Sequence, residues 1–303
     1  MKRRYFIESI LAASVPLVIP DIALNELLSS SSCCGRKLVL IHLSGGNDWY
    51  NTFIPFSNEE YYSKRPSLAI DATEIIRMNS QYGFNPAMSS LVNVYESGNM
   101  FSFNDFVCEH DDNSHYTAEQ LWKTVSLHGD QSWLQRLQEC CEIQVHSAKE
   151  LRDQGNQHNF HGDLKSVSDC IIQSNENQVF TLKLDGFDTH QFQKHKHQYL
   201  LEEYSEATAL FIKELRKNGK FKDTLILSWS EFGRSMSENI KKGTDHGHEN
   251  SIMIMSGGFR KDGFSISGDP ETSTIVDIYA SIIQNWFGIN SSKVLFDKNF
   301  VNI

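Results

Sequence analysis

The sequence predicts an α/β protein built on a parallel sheet that helices cover on both faces. Two observations carry this prediction. Nearly continuous apolar runs recur along the chain, with amphipathic helical segments between them, and polar motifs follow the runs directly. Continuous apolar runs are typical of strands that are buried on both faces, which is the usual environment of a parallel sheet.

Four predicted strands end in polar motifs. The strands are Lys37 to Leu43, Asn99 to Phe106, Gln178 to Leu184 and Thr224 to Ser228. Ligands of open α/β sheets bind beyond the carboxyl ends of the strands. We therefore expect the four motifs to converge on one site.

Two longer segments carry apolar residues at helical spacing, and we expect those stripes to be core. They are Tyr199 to Lys217, which ends at an Asn-Gly cap, and Thr274 to Phe287, which Gly288 stops. A shorter helix is predicted from Thr117 to Val125.

No internal repeat is present, so we expect one domain over residues 37–303, after an export signal and linker at residues 1–36.

Composition narrows the class of protein. Of 303 residues, 40% are apolar and 22% charged, which is ordinary for a globular protein, and the net charge of −10 argues against a nucleic-acid partner. No run of eighteen apolar residues occurs, so we expect no membrane span in the mature protein.

The N-terminus has the form of an export signal. Lys2, Arg3 and Arg4 precede an apolar run from Ile7 to Pro20, and the arginine pair resembles a twin-arginine signal. A general secretory signal and an uncleaved amphipathic start are the alternatives. We expect a periplasmic or extracellular protein that is exported by the twin-arginine route.

The six cysteines include no C-x-x-C pair, which argues against a zinc ribbon. In an oxidising compartment, Cys108 or Cys170 could bridge to one of the Cys140–Cys141 pair.

His195 and His197 lie in a lysine-rich stretch and are expected to be solvated.

Asp and His residues follow the strands in a pattern that suits a divalent metal. Asp48 follows the first strand through two glycines, and Asp188 and His190, two residues apart, share a face in extended geometry. The other candidate ligands are Glu231, Asp245, His246 and His248. Mixed Asp and His sets favour zinc, manganese or iron over calcium, and we expect one or two ions, zinc or manganese. For Asp48 alone, an Asx cap is the alternative.

Ser114 lies between a predicted strand and a predicted helix, next to His115. Amide donors and the helix dipole make this position suitable for a phosphate or sulfate group, and a metal could activate the hydroxyl as a nucleophile. The alternative is that Ser114 or Thr117 only caps the N-terminus of the helix.

Nine blocks of the chain form a recognisable pattern: Arg3-Arg4, Leu40 to Thr52, Asn113 to Tyr116, Trp133 to Arg136, Gly186 to His190, Ser230 to Arg234, Gly243 to Gly247, Asp277 to Ala280 and Trp286 to Gly288. In this order they resemble, almost end to end, the exported bacterial family called domain of unknown function 1501, which looks like a branch of the alkaline phosphatase/sulfatase superfamily.

The resemblance implies a doubly wound, mostly parallel sheet with metal ligands at the strand ends. It matches Asp48, Asp188, His190 and His246 to the superfamily's metal ligands, and Ser114 to its nucleophile. Two departures stand out. Glu231-Phe232 replaces the superfamily's usual Asp-His pair, and Asn113 stands where this family commonly has Arg.

The function expected from the resemblance is metal-dependent hydrolysis of a small anionic phosphate or sulfate ester. Ser114 would attack, and Arg234 would assist the developing charge or serve as a structural ion-pair partner. The alternatives are a non-catalytic binding or assembly protein with a partial metal site, and an esterase or peptidase that uses Ser114 with His115.

Overall fold

The computed structural model describes residues 34–107, 114–125, 131–141, 143–152, 159–247, 249–259 and 275–295. Most of the predicted export signal lies outside the described residues, as do Cys33, Cys108, Asn113 and His248. Among the helices that the structure describes, none is long and apolar enough to cross a membrane.

Strands and helices alternate along much of the chain. The strands are β1 (Lys37–Ser44), β2 (Phe53–Ile54), β3 (Ile76–Arg77), β4 (Gly83–Phe84), β5 (Met100–Val107), β6 (Gln144–Ser147), β7 (Gln178–Asp185), β8 (Thr224–Trp229), β9 (Gly233–Glu238), β10 (Thr244–Gly247) and β11 (Glu249–Met255). The α-helices are α1 (Glu59–Lys64), α2 (Val92–Glu96), α3 (His115–Thr124), α4 (Trp133–Cys141), α5 (Phe160–Gln173), α6 (Gln193–Lys217), α7 (Ile275–Ser281) and α8 (Ser292–Leu295).

Six strands form the central sheet, in the order β5-β11-β8-β1-β7-β6. β1 pairs in parallel with β7 and β8, and β6 pairs in parallel with β7. β11 is antiparallel to both of its neighbours, β5 and β8. The predicted mostly parallel α/β sheet is therefore confirmed, with one inverted strand that the sequence did not reveal.

Side chains of alternate strand residues pack in two separate hydrophobic cores, one on each face of the sheet. Val39, Ile41 and Leu43 of β1 belong to the first core, together with apolar residues of α5 and α6. Leu38 and Leu40 belong to the second core, where α3, α4 and α7 pack. Burial on both faces explains why the strand sequences are continuously apolar, and it confirms the doubly wound arrangement.

Helix α6 begins six residues earlier than the pattern predicted, at Gln193, and this changes the position of His197. The side chain of His197 is buried, whereas His195 is exposed. The expectation that His197 is solvated was therefore wrong. Its Nε2 lies 2.9 Å from Oδ1 of Asn47, and burial lowers the pKa of His197 to about 4. The buried face of α6 thus supports the loop that follows β1.

The parallel register places the carboxyl ends of three strands at the same edge. Ser44 of β1 pairs with Asp185 of β7, and His42 pairs with Trp229 of β8. The β9–β10 hairpin follows β8, and in it His246 stands opposite Arg234. The loops after β1, β7 and β8 therefore meet, as the sequence predicted for a single site.

Gly45 sets how closely the loops after β1 and β7 can approach. Its φ is +118°, a conformation that side chains disfavour, and a Cβ there would lie 2.2 Å from the backbone nitrogen of Asp188. The Gly45 amide donates to Oε1 of Glu231 at 2.8 Å. One glycine thus holds the turn against both neighbouring loops.

We expect Gly45→Ala to lower stability far more than Gly98→Ala. Gly98 also has a positive φ (+69°), but a Cβ there would meet nothing within 4 Å. Gly98→Ala, the control, should therefore lower the unfolding free energy only by the conformational penalty of about 1–2 kcal/mol. Gly45→Ala must in addition displace the backbone of Asp188. Thermal and urea unfolding of both variants would measure this, and equal losses would contradict a close approach at Gly45.

Candidate metal centre

One carboxylate oxygen, Oδ1 of Asp188, lies among three imidazole rings. It is 3.0 Å from Nε2 of His190, 3.6 Å from Nε2 of His246 and 3.7 Å from Nε2 of His115. The Nε2 atoms of His190 and His246 are 3.0 Å apart. Ligand atoms of His115, Asp188 and His246 all lie within 4.8 Å of one another, a spacing that could hold a metal ion.

Three different parts of the fold supply these side chains. Asp188 and His190 follow β7, His115 is the first residue of α3, and His246 belongs to β10. The side chains of Asp188 and His115 are 48% and 40% exposed. Within the described part of the chain, the cluster is therefore open to solvent.

The donors at the cluster fit the kind of metal that the sequence suggested. Imidazole nitrogens with one carboxylate suit zinc, manganese or iron better than calcium, which prefers oxygen ligands. Two ligands of a tetrahedral zinc ion, each about 2 Å from it, are separated by roughly 3.3 Å. The separations of 3.0 to 3.7 Å around Asp188 are close to that value.

Arg234 lies below the cluster and donates hydrogen bonds to the loops after β1 and β7 and to β10. Its guanidinium is fully buried and donates to Oδ1 of Asp188 at 2.6 Å. Its other acceptors include the carbonyl oxygens of Gly45, Gly46, Phe187 and Thr244, and its Nη1 lies 3.5 Å from Nε2 of His190. Partial burial acts to raise the pKa of Asp188, but the hydrogen bond and charge of Arg234 outweigh this and lower it.

A guanidinium enclosed in this way cannot contact a substrate unless several of its hydrogen bonds break. The expectation that Arg234 assists the developing charge is corrected accordingly, because its buried position makes it a structural ion-pair partner. It positions Asp188.

Glu231 lies one layer behind the cluster. Its Oε1 is 2.8 Å from Nδ1 of His115, and its Oε2 is 2.8 Å from Nε2 of His42. Burial acts to raise the pKa of Glu231, but the hydrogen bond and charge of His42, with the hydrogen bond from His115, lower it to about 2. The carboxylate is therefore occupied by two imidazoles, and it orients His115 rather than lying among the ligand atoms.

Asp245 stands in a similar relation to His190. Its Oδ1 lies 3.5 Å from Nδ1 of His190, and its side chain is 71% exposed. A carboxylate behind a histidine is the usual outer partner of a metal-binding imidazole, because it fixes the tautomer and the ring orientation. Of the two predicted ligands, Glu231 takes this outer position through a hydrogen bond, whereas Asp245 only approaches His190 and accepts a hydrogen bond from Asn239.

Asp48 is not brought to the cluster. Its carboxylate is fully buried and paired with both terminal nitrogens of Arg65, at 2.6 and 3.0 Å, and Gln193 donates to it as well. Burial acts to raise the pKa of Asp48, but Arg65 outweighs this and lowers it. The sequence-based assignment of Asp48 as a ligand is corrected, because a guanidinium already occupies the position that a cation would take.

Ser114 is the N-cap residue of α3, directly before His115, and is partly buried. It has the extended backbone of an N-cap, with φ −82° and ψ 126°, but its side chain makes no capping hydrogen bond. The capping alternative therefore lacks its defining contact. Because both ring nitrogens of His115 face carboxylates, the structure offers no Ser114–His115 pair for an esterase.

Sequence reasoning missed three polar side chains of this region. His42 binds Glu231, while Arg65 and Gln193 bind Asp48. The helical spacing of Gln193, His197 and Leu200 places all three on the buried face of α6, which is a signal that the sequence does contain. No comparable pattern marks Arg65, whose pairing is set only by the tertiary fold.

We expect Asp48→Ala to cost about 3–5 kcal/mol of unfolding free energy, because it leaves Arg65 buried without its partner. The double variant Asp48→Ala/Arg65→Met should recover part of that loss. Bound metal per folded chain should stay at the wild-type level in the double variant. Chemical denaturation and elemental analysis would measure both quantities, and loss of metal in a folded double variant would restore Asp48 as a ligand.

Comparisons with known proteins give the family and the fold of the chain. A family model described as "Protein of unknown function (DUF1501)" matches residues 135–296, more than half of the chain. No curated protein matches the sequence.

Solved structures show the fold. The lipoteichoic acid synthase LtaP from Listeria monocytogenes is 9% identical, with a TM-score of 0.52 over 92% of this chain and 80% of that chain. The C-terminal periplasmic domain of EcEptC from Escherichia coli, in complex with zinc, is 11% identical, with a TM-score of 0.51 over 91% of this chain and 90% of that chain. The alkaline phosphatase/sulfatase-like fold expected from the sequence is confirmed.

Proposed function

This chain belongs to the DUF1501 family, and we propose that it is an exported, metal-dependent hydrolase of phosphate or sulfate esters with Ser114 as its nucleophile. The observation that carries the proposal is the solvent-open group of Asp188 and three histidines at the carboxyl edge of the sheet. In support, one protein of similar fold is a lipoteichoic acid synthase and another holds zinc.

His115, Asp188 and His246 would hold the ion, with His190 beside them. A divalent cation there would offset the negative charge of the ester oxygens and lower the pKa of a nearby hydroxyl. The ionised carboxylate of Glu231 accepts the Nδ1 proton of His115, so the Nε2 atom of that ring is left with a lone pair.

The N-terminus of α3 would receive the anionic part of the substrate. The first amides of a helix are donors without partners inside the helix, and the helix dipole favours negative charge there. Ser114 stands at that end, one residue before a candidate ligand. Its hydroxyl would thus act within reach of both the helix amides and the cation.

The competing function is a non-catalytic binding or assembly protein that keeps the fold and a partial metal site. Two observations favour it. Arg65 already pairs with the carboxylate of Asp48. Arg234 donates to Oδ1 of Asp188, the same oxygen that faces the histidines. These contacts leave one carboxylate among the candidate ligand atoms, which suits one ion better than two.

The compartment is also part of the proposal. Arg3 and Arg4 before an apolar run support twin-arginine export, and a periplasmic or extracellular enzyme would meet small anionic esters there. In the same proposal, zinc or manganese is the resident ion.

We expect Asp188→Ala and His246→Ala each to reduce bound zinc or manganese to a small fraction of the wild-type level. Ligands at strand ends do not build the core, so the far-ultraviolet dichroism of His246→Ala should be unchanged. Asp188→Ala also removes the carboxylate partner of the buried Arg234, so this variant should be less stable, and its metal content is compared per folded chain. Asp185→Ala is the matched control, because Asp185 is an exposed carboxylate three residues away that pairs with Lys183. Elemental analysis of protein purified without a metal-affinity tag measures the result. Unchanged metal in both variants, or metal-free wild type, would refute the shared site.

We expect Ser114→Ala to abolish turnover of aryl phosphate and sulfate esters while metal is retained. Ser132→Ala is the control, because Ser132 also stands at a helix start but does accept the capping hydrogen bond, from the amide of Gln135 at 3.1 Å. That variant should lose about 1 kcal/mol of stability and keep its activity. Wild-type protein that carries metal but cleaves no ester in a broad panel would support the binding-protein alternative.

A further inference from the structure

A cavity of about 360 Å³ lies on the second-core face of the sheet. Its floor is formed by the sheet itself, through Leu40 and His42 of β1, Thr181 and Lys183 of β7, and Ser147 of β6. Thr181 and Lys183 follow Val179 on that face, but unlike Val179 neither is buried. Within the described part of the chain, the carboxyl half of β7 is therefore left uncovered on this side.

Aromatic rings form one wall of the cavity. Trp122 stacks on Trp229 with ring centroids 4.5 Å apart, and Trp229 stacks on His42 at 4.0 Å with the two planes 1° apart. Trp133 and Tyr279 line the same space. These rings are packed on one another and are only 1–8% exposed, so the wall is apolar, and a ligand ring would pack against its exposed edges.

His42 brings a polar atom to this apolar wall. Its side chain is 8% exposed, and its Nε2 is used by Glu231 at 2.8 Å. For its Nδ1, the described residues supply no hydrogen-bond partner. Because the Nε2 proton is held by Glu231, Nδ1 of the neutral ring is a hydrogen-bond acceptor, which a donor group of a molecule in the cavity can use.

The charges at the cavity mouth indicate the charge of that ligand. Lys123 pairs with Glu119 and Lys183 pairs with Asp185. The acid Asp163, which also lines the cavity, pairs with Arg152. Lys149 has no ion-pair partner among the residues that the structure describes, so one cation remains to be neutralised. An anionic group fits this mouth, even though the whole chain carries a net charge of −10.

We propose that this cavity binds a small aromatic anion, with its ring against the aromatic wall, its charged group beside Lys149 and an N–H or O–H group donating to Nδ1 of His42. The site is separate from the metal cluster, and its existence does not depend on the proposed hydrolase activity. His42 joins the two sites, because it contacts the cavity on one side and Glu231 on the other.

The dye 8-anilinonaphthalene-1-sulfonate, itself an aromatic anion, provides the test. Added to the full chain after metal removal by a chelator, it should bind saturably at one site and quench tryptophan fluorescence. Ser147→Trp, which fills the cavity from β6, should abolish that saturable binding. Lys149→Glu should weaken it by about three- to tenfold, the effect of reversing one exposed charge.

Lys213→Glu is the matched control for charge, because Lys213 lines grooves beside α6 that lack tryptophan. It should bind the dye as the wild type does. Thr181→Trp fills the cavity from β7 and replaces Ser147→Trp if that variant does not fold, as judged by dichroism and thermal unfolding. Absence of saturable binding to the wild type, or undiminished binding to a folded cavity-filling variant, would overturn the proposal.

Discussion

The buried guanidinium of Arg234 is the constraint on which the rest of the site depends. It bonds to carbonyl oxygens in the loop after β1, in the loop after β7 and in β10, and it also pairs with Asp188. A buried cation without partners is very costly, so these loops must keep the positions that satisfy it. The same geometry fixes the carboxylate among the histidines.

The carboxylates of the site differ in environment and therefore in what they can do. Asp48 and Glu231 are both sealed from solvent, the first by Arg65 and the second by two imidazoles. Asp188 is half exposed, although Arg234 holds one of its oxygens. Of these three, only Asp188 can meet an external ligand. The buried pair acts through the groups that it positions.

Much of the fold could be predicted because the strands are buried on both faces. The apolar runs at β1, β7 and β8 are local signals, and so is the i, i+2 relation that brings Asp188 and His190 to one face. The convergence of the strand-end loops then follows from parallel register. Strand β11 was not among the four predicted strands, and its antiparallel direction could not be predicted, because the direction of a strand depends on its neighbours rather than on its own sequence.

The errors at the site have a different origin. Asp48 has the position and chemistry of a ligand, yet Arg65, seventeen residues later, takes it as an ion-pair partner. Nothing local distinguishes these two outcomes, since both require a carboxylate after a Gly-Gly turn. His197 was a different kind of error, because helical periodicity alone places it on the buried face of α6.

The charges around the cluster favour one bound ion over two. Among the buried and half-buried groups described there, Asp188 and Glu231 contribute two negative charges, and Arg234 contributes one positive charge. With neutral histidines the group carries a single negative charge, which one divalent cation would turn into a single positive charge. A second cation would lie close to Arg234 with only the solvent-exposed Asp245 to balance it, since Arg65 already neutralises Asp48. A centre with one ion and one net positive charge is suited to an anionic ester, which would complete its neutralisation.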